Sequence, residues 1–393
     1  MKQRYYRLAM VLFLLLSVNS GFSAEPLTIG LDADLKSGSA RSGIAIQRGM
    51  VLAMDQINNA GGVLGRKLTL VARDHRGNPA RGVANMETFS AMPNLVAVVG
   101  GLHTPVALAQ LAKIHEHRII YLSPWAAGTP VVENGYNPNY VFRVSVRDQL
   151  AGPFLVRQAL ESGYRKLGLL LEQTGWGRSN NQAMRAALKE RELEPVGIQW
   201  FLWGAKDMAG HIRALKEAEA DIIMFVGNAP EGASLVKQMA VLPEKDRLPI
   251  ISHWGITGGR FSDQAGDGLE KVDLKFLQTF SFLSPSFPDR AEAVLSAYLS
   301  KWPETGSARG VFAPAGTAHA YDLVFILKAA IEKAGTTEAD KVRDALEHLG
   351  PYNGLVRNYD PPFSPERHDA LDANDYRLAR FAADGAIEPV IPE

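Results

Sequence analysis

The stretch LVAVVGGLHTPVALAQLAKIHEHRIIYLS, Leu95 to Ser123, decides the fold. Leu95 to Gly100 is a short apolar run rich in valine and reads as a buried strand. Pro105 to His117 follows as a helix with proline in its first turn. Ile119 to Ser123 is a second apolar run. Strand, helix and strand in that order point to parallel strands with the helix covering one face.

The same rhythm extends both ways. Upstream, Leu27 to Ala33 (LTIGLDA) reads as a strand. Ile44 to Asn59 reads as a helix with Ile46, Met50, Ala53, Met54 and Ile57 on one face. Asn58 to Gly62 (NNAGG) stops it, glycine supplying left-handed backbone. Leu68 to Asp74 is a strand and Pro79 to Met92 a helix. Downstream, helices over Gln149–Ser162, Asn180–Leu193, Met208–Glu219 and Glu231–Leu242 alternate with strands over Lys166–Glu172, Gly197–Trp203, Asp221–Gly227 and Leu248–Ser252. Two such series predict an α/β protein with two doubly wound parallel-sheet lobes. The tail departs from the pattern. Ala291–Lys301, Ala315–Ala334 and Glu338–Leu349 read as helices, Leu355–Pro365 as proline-rich and irregular, Tyr376–Ala382 and Ile387–Ile391 as short strands. Three helices are too few for a third domain, so they are expected to cover faces of the two lobes. That makes the chain cross between lobes more than once.

Composition excludes several functions. The 393 residues carry 42 Lys and Arg against 42 Asp and Glu, which leaves no basic footprint for nucleic acid or a membrane surface. With no cysteine there is no disulfide, thiolate metal site, iron–sulfur cluster or Cys nucleophile. Lys2, Arg4 and Arg7 precede an apolar run of eleven residues, Leu8 to Val18, and small residues follow at Ser20, Gly21, Ser23 and Ala24. This is the pattern of a secretory signal peptide over residues 1–24, with cleavage after Ala24. The run is shorter than the roughly 20 residues of a spanning helix. No cysteine stands at the new terminus to carry a lipid. The mature chain is therefore expected to be a soluble periplasmic protein without stable membrane insertion; an uncleaved anchor is the alternative.

Motifs for catalysis are absent. There is no G-x-x-x-x-G-K-[ST] loop, no G-x-G-x-x-G after the first strand and no G-x-S-x-G elbow, so no nucleotide or other cofactor is expected. His115 and His117 flank Glu116, but positions i and i+2 do not share a helix face, so no metal is expected there. His103 stands alone on a strand-to-helix loop. Asp32 and Asp34 are a close carboxylate pair that reads as loop caps.

What remains is a row of polar and aromatic residues at the C-terminal ends of strands, where open α/β sheets bind ligands. Arg41 and Ser42 follow the first strand. His103 and Thr104 follow the third, and Trp125, Ala126 and Ala127 the fourth. Trp176, Asn228 and Trp254 occupy the matching places in the second series. Trp125, Trp176 and Trp254 are three of the six tryptophans, and aromatic walls are common in ligand clefts.

These residues carry a resemblance. The chain resembles type I periplasmic solute-binding proteins of ABC importers, in the leucine/isoleucine/valine-binding group, over nearly all of its mature length. The markers are Ser37 to Gly43 after the opening strand, the helix end Gly49, Ala53, Ile57, Asn58, Gly61 and Gly62, then Gly65, Asp74 with Pro79, Gly100 to Thr104, Ser123–Pro124, and Asp207 ahead of the helix before Asp221. The resemblance implies two lobes joined by three crossings: residues 25–144 with 280–352, and 145–279 with 353–393. It implies a monomer that closes on one small solute and is read by a membrane permease.

In amino-acid-binding members a hydroxyl after the third strand grips the ligand carboxylate, and Thr104 matches it. The loop after the fourth strand adds backbone and hydroxyl contacts. Here that loop is one residue longer, which leaves Ala127 or Thr129 for the hydroxyl position. Trp176 matches an aromatic that covers the ligand side chain. The acid that pairs with the ligand ammonium, after the eighth strand, is replaced by Trp254. The aromatic near Ser42 is missing, and Arg41 adds a cation suited to a carboxylate. Two ligand classes stay open: a branched-chain or similar amino acid, and a carboxylate without an ammonium. Asp32, Asp34, Glu172 or Glu231 would restore the former by turning inward. A ligand-sensing module for a membrane receptor and a secreted hydrolase using His103 are the rival functions.

Overall fold

The computed structural model describes residues 25–390. The expected signal peptide, residues 1–24, and Ile391 at the end of the expected last strand lie outside the described residues.

Five parallel strands make the first sheet: β1 (Leu27–Ala33), β2 (Leu68–Asp74), β3 (Leu95–Val99), β4 (Tyr121–Ser123) and β5 (Val141–Arg143), in the order β2-β1-β3-β4-β5. The second sheet takes β6 (Leu167–Glu172), β7 (Gly197–Phe201), β8 (Ile222–Val226), β9 (Ile250–Ser252) and β10 (Leu274–Gln278). It adds β13 (Arg377–Phe381) and β14 (Ile387–Pro389), in the order β14-β13-β10-β9-β8-β6-β7. A small hairpin, β11 (Tyr352–Asn353) with β12 (Asn358–Tyr359), stands apart. The helices around the first sheet's strands are α1 (Ala40–Asn59), α2 (Pro79–Ser90), α3 (Thr104–Glu116) and α4 (Thr129–Val132). Those that follow are α5 (Asp148–Glu161), α6 (Gly175–Lys189), α7 (Ala209–Glu217), α8 (Ala229–Ala240), α9 (Phe261–Ala265) and α10 (Gly268–Lys271). The late helices are α11 (Pro288–Lys301), α12 (Pro314–Ala334) and α13 (Ala339–Glu347).

The central strands are buried on both faces. Every residue of β6 is buried, as is every residue of β8, which is why β8 reads as an unbroken apolar run and β6 as one broken only by Glu172 at its end. Each fully buried Leu or Ile contributes about 1.5–3 kcal/mol of transfer free energy. Helix α1 buries Ile46, Met50, Ala53, Met54 and Ile57 on the face the spacing predicts. Its stop is steric as well as conformational. Gly62 has φ +81°, and a Cβ there would stand 2.1 Å from the Arg66 carbonyl oxygen.

The order of the strands creates two crevices. The chain leaves β1 for β2 on one side, then crosses to β3 on the other. It repeats this at β6, with β7 on one side and β8 on the other. Loops leaving β1 and β3, and β6 and β8, diverge at these switch points and open a space between them.

Four differences from the expected pattern have physical reasons. β5 is only three residues long and β10 carries Lys275 and Gln278, so their apolar signal is weak. α6 begins at Gly175, capped by the Thr174 hydroxyl accepting from Trp176 N–H at 3.2 Å, which places Trp176 in a first helical turn instead of a loop. Thr129 opens α4. β13 and β14 run antiparallel, Ala379 against Pro389, because a hairpin as short as residues 382–386 joins strands no other way, and β13 also pairs antiparallel with β10, Phe276 against Ala379.

The tail packs on the first sheet's layer. α12 lies along α1, where Gly49 lets the Thr317 backbone approach. Asp322 of α12 accepts from Leu355 N–H at 2.6 Å, Val356 N–H at 3.0 Å and the Tyr359 hydroxyl at 2.7 Å. Asp369 then bridges in parallel to Arg143 at the end of β5. Among the described residues, no helix is long and apolar enough to cross a membrane.

Candidate ligand-binding cleft

A narrow, nearly filled chamber with about 10 Å³ of free volume lies between the two sets of strand ends. Eight of the ten candidate residues line it: His103, Thr104, Trp125, Ala126, Ala127, Trp176, Asn228 and Trp254. Leu102, Pro105 and Glu172 complete the wall. Trp125, after β4, and Trp254, after β9, stack across it with ring centroids 4.6 Å apart and 19° between planes.

Arg41 and Ser42 fall outside the chamber. The Arg41 guanidinium pairs with Asp263 of α9 at 3.0 Å and is one-third exposed, so it spans the two halves at the rim. Ser42 is buried and donates to the Ser39 carbonyl at 2.8 Å. Both halves meet closely here. A Cβ on Gly258 would stand 2.9 Å from Ser42 Oγ, and one on Gly259 only 2.2 Å from the Gly38 carbonyl oxygen.

The loop after β4 is held with its carbonyls turned to the protein. Pro124 O faces His319 Nδ1 at 2.9 Å, and Trp125 O accepts from the Ser145 hydroxyl at 2.9 Å. Ala126 O and Gly128 O accept from Arg143 Nη1 at 3.0 and 2.9 Å. Ala127 O accepts from Asp148 N–H at 2.8 Å. Five consecutive acceptors are thus engaged. Burial lowers His319 to about 4, so its ring is neutral and bridges Pro124 O and Thr279 Oγ1. Arg143 is fully buried, and its Nε donates to Asp369 Oδ1 at 2.5 Å.

Two residues of the chamber lining keep a free donor. The Ala127 N–H has no acceptor among the described residues. Thr104 opens α3; its Oγ1 accepts from Gly128 N–H at 3.1 Å, which leaves its own hydroxyl proton to donate. The N-terminus of a thirteen-residue helix adds a favourable field for an anion at that point.

The acids around the chamber are committed. Asp34 accepts from Ser37 N–H at 2.8 Å, Ser37 Oγ at 2.6 Å and Ser39 N–H at 3.0 Å. Despite burial, these bonds and His103, 3.7 Å away, hold its pKa well below the usual carboxylate range. Asp32 is buried and accepts from Asn85 at 2.6 Å and Gln110 at 2.5 Å inside the first sheet's layer; burial raises it to about 7. Glu231 accepts from Gly204 N–H at 2.7 Å, and burial raises it too. Only Glu172 reaches the chamber wall. Burial, with Glu231 nearby, raises it to about 8, while its Oε1 faces Thr174 Oγ1 at 2.9 Å and its Oε2 accepts from Asn228 Nδ2 at 2.7 Å.

Sequence reasoning missed a pair behind the wall. Asp148, the first residue of α5, is fully buried beside Ala127, and neither of its oxygens holds a hydrogen bond among the described residues. His253 Nε2 lies 3.2 Å from Asp148 Oδ1. His253 Nδ1 accepts from Trp254 N–H at 2.9 Å, which puts the ring proton on Nε2, toward Asp148. Trp176 sits edge-on to His253 at 5.1 Å. Asp148 stands just before the expected helix Gln149–Ser162, and the sequence carried no signal for this contact. Arg143 was hidden in the unrecognised β5. His115 and His117 turn to different partners, Leu111 O at 2.7 Å and Glu87 Oε2 at 3.0 Å.

The comparisons fit this architecture. The branched-chain amino acid transporter substrate-binding protein LivJ from Streptococcus pneumoniae, solved with isoleucine, superposes with a TM-score of 0.76 at 22% identity over 93% of this chain and all of that one. A solute-binding protein of an ABC transporter from R. palustris, solved with 4-hydroxybenzoate, gives 0.78 at 17% identity, covering 94% of this chain and 96% of that one. The Leu/Ile/Val-binding protein BraC3 of Rhizobium johnstonii is 27% identical over 323 residues, 82% of this chain and 83% of that protein. The periplasmic binding protein family model matches residues 26–386, and the chain belongs to that family.

Proposed function

We propose that the chain is the solute-binding receptor of an ABC importer, which captures a small carboxylate lacking an ammonium group and presents its closed form to a membrane permease. It works in the periplasm as a monomer, delivered by residues 1–24. The lobes we assign are 25–144 with 280–370, and 145–279 with 371–390. This moves the last crossing later than the resemblance implies, because residues 353–370 contact α12 and β5.

One observation carries the ligand class. The chamber offers an anion the Ala127 N–H, the Thr104 hydroxyl and a helix N-terminus, and offers an ammonium no free carboxylate. Glu172, the one acid in the chamber lining, is mostly protonated near pH 7, and Asp148 lies behind the wall, outside that lining, with His253 Nε2 3.2 Å from its Oδ1. Burying an ammonium without a counterion costs several kcal/mol. The fold is solved elsewhere with isoleucine and with 4-hydroxybenzoate, so the fold does not choose between these classes; the charges of this chamber favour the second. The receptor makes and breaks no bond. For the hydrolase reading, the only charged partner of His103 is Asp34 at 3.7 Å, and no hydroxyl lies within hydrogen-bond reach of its Nε2 among the described residues.

The test counts protons. With a pKa raised to about 8, Glu172 is mostly neutral at pH 7. An ammonium placed against it would ionise it and release about one proton per ligand; an amine-free carboxylate leaves that proton in place. Calorimetry at pH 7 in two buffers of different ionisation enthalpy measures the difference. The expected result is binding of amine-free acids with near-zero proton release. Tight binding of leucine with about one proton released contradicts the proposal.

A further inference from the structure

The chamber does not end at His103 and Asn228. Both residues are shared with an outer compartment of about 260 Å³ that opens toward solvent between the loops leaving β1, β2, β7 and β8. Trp203, after β7, forms one wall. Its ring lies 4.9 Å from the His103 ring and reaches across to Gly77, where a Cβ would stand 3.1 Å from the indole. Gly77, with φ +67°, is thus required twice, for its backbone and for the Trp203 ring. His103 is 5% exposed, and its Nε2 has no hydrogen-bond partner among the described residues. A buried ring nitrogen between two compartments, with an aromatic plane beside it, is a built recognition element with a hydrogen bond still to make.

The charge balance selects what it recognises. Asp34 is saturated by the Ser37 and Ser39 donors, and Arg76 Nε is 3.4 Å from Asp74 Oδ2. Among the described residues, each charged group lining the compartment already has a partner. A second anion would meet the Asp34 carboxylate, and a cation would meet Arg76.

We propose that this compartment is a second subsite of the same cleft, and that the solute is a carboxylate extended by an uncharged hydrogen-bonding group, a hydroxyl or an amide, which meets His103 and lies on Trp203. The proposal rests on the carboxylate reading above. The acid end sits at Thr104 and Ala127, the body passes the tryptophans, and the far end makes the bond that His103 lacks. A well-made buried hydrogen bond discriminates strongly against an analogue without it, because the protein group is then left unpaired.

The experiment compares matched acids on the full mature protein by calorimetry: benzoate with 4-hydroxybenzoate, and cinnamate with 4-hydroxycinnamate. In at least one pair the hydroxylated acid is expected to bind tenfold or more tighter. Trp203→Ala and His103→Ala each bring that ratio below two, whatever they do to the plain acid alone. Trp203→Phe, which keeps a ring, preserves it, and thermal unfolding checks that each variant is folded. Plain acids that bind with ratios near one in both pairs overturn the subsite and leave the carboxylate reading standing. A tenfold ratio that survives both alanine variants overturns the assignment to His103 and Trp203. If none of the four acids binds at millimolar concentration, the subsite as assigned falls, and aliphatic carboxylates then decide the carboxylate reading.

Discussion

Replacing Arg143 with alanine is expected to abolish ligand binding and to lower the free energy of unfolding by about 3–5 kcal/mol, the cost of breaking a buried ion pair from one side. Arg143 is fully buried and its Nε donates to Asp369 at 2.5 Å. Without it, the nearest remaining cation to Asp369 is Arg147 Nη1 at 3.6 Å, too far for a hydrogen bond. The same side chain holds Ala126 O and Gly128 O through Nη1. Once those carbonyls are released, the loop is free to rotate its peptides, and Ala127 N–H no longer has a fixed direction. Stability and binding therefore fall together. Arg143→Lys separates the two roles: it keeps a charge for Asp369, but a single ammonium cannot span three acceptors, so it recovers part of the stability and little of the affinity. Denaturant unfolding with calorimetry on both variants measures this. Full affinity in a folded Arg143→Ala protein would remove the loop from the site.

The second large effect comes from closure. Gly259→Ala is expected to weaken binding tenfold or more, about 1.4 kcal/mol or above. Its Cβ would stand 2.2 Å from the Gly38 carbonyl oxygen, a backbone atom of the opposite lobe that cannot swing aside. The lobes must part by about an ångström to reach ordinary van der Waals separation. Contacts that reach the solute from both sides then cannot form together. A second contact, Ala229 at 2.7 Å, lies within its own lobe, so Gly258→Ala is the companion: its neighbours, Ser42 and Ser39, are all across the cleft. Both variants should lose affinity mainly through a faster off-rate, since the open form still admits the solute. Unchanged affinity in both would mean that the closed arrangement is not the binding one.

Much of this was legible in the sequence because it rests on periodicity. β1, β6 and β8 are short, mainly apolar runs of the kind a doubly covered parallel sheet requires, and α1 carries its buried face at helical spacing. The chamber followed from a topological rule applied to strand ends, which brought eight residues together. What failed did so for lack of local signal. Arg41 and Ser42 stand near a strand end in sequence, yet α1 turns one toward Asp263 and the other onto its own loop. β5 is three residues long, too short to place Arg143 on a strand from the sequence. Asp148 and His253 are 105 positions apart, and no pattern in one chain announces that pairing. The protonation of Glu172 depends on burial among residues from separate loops, which spacing alone does not reveal.

The most direct test is thermal unfolding of the mature protein, denatured and refolded to strip carried ligand, against the twenty amino acids and a set of amine-free aromatic and aliphatic carboxylates. A ligand at a hundred times its dissociation constant adds about 2.7 kcal/mol, enough to raise the midpoint by several degrees. The account predicts a rise with one or more amine-free carboxylates and none with leucine, isoleucine or valine. A rise with those amino acids alone would contradict it, and would mean that Asp148 or Glu172 receives an ammonium after all.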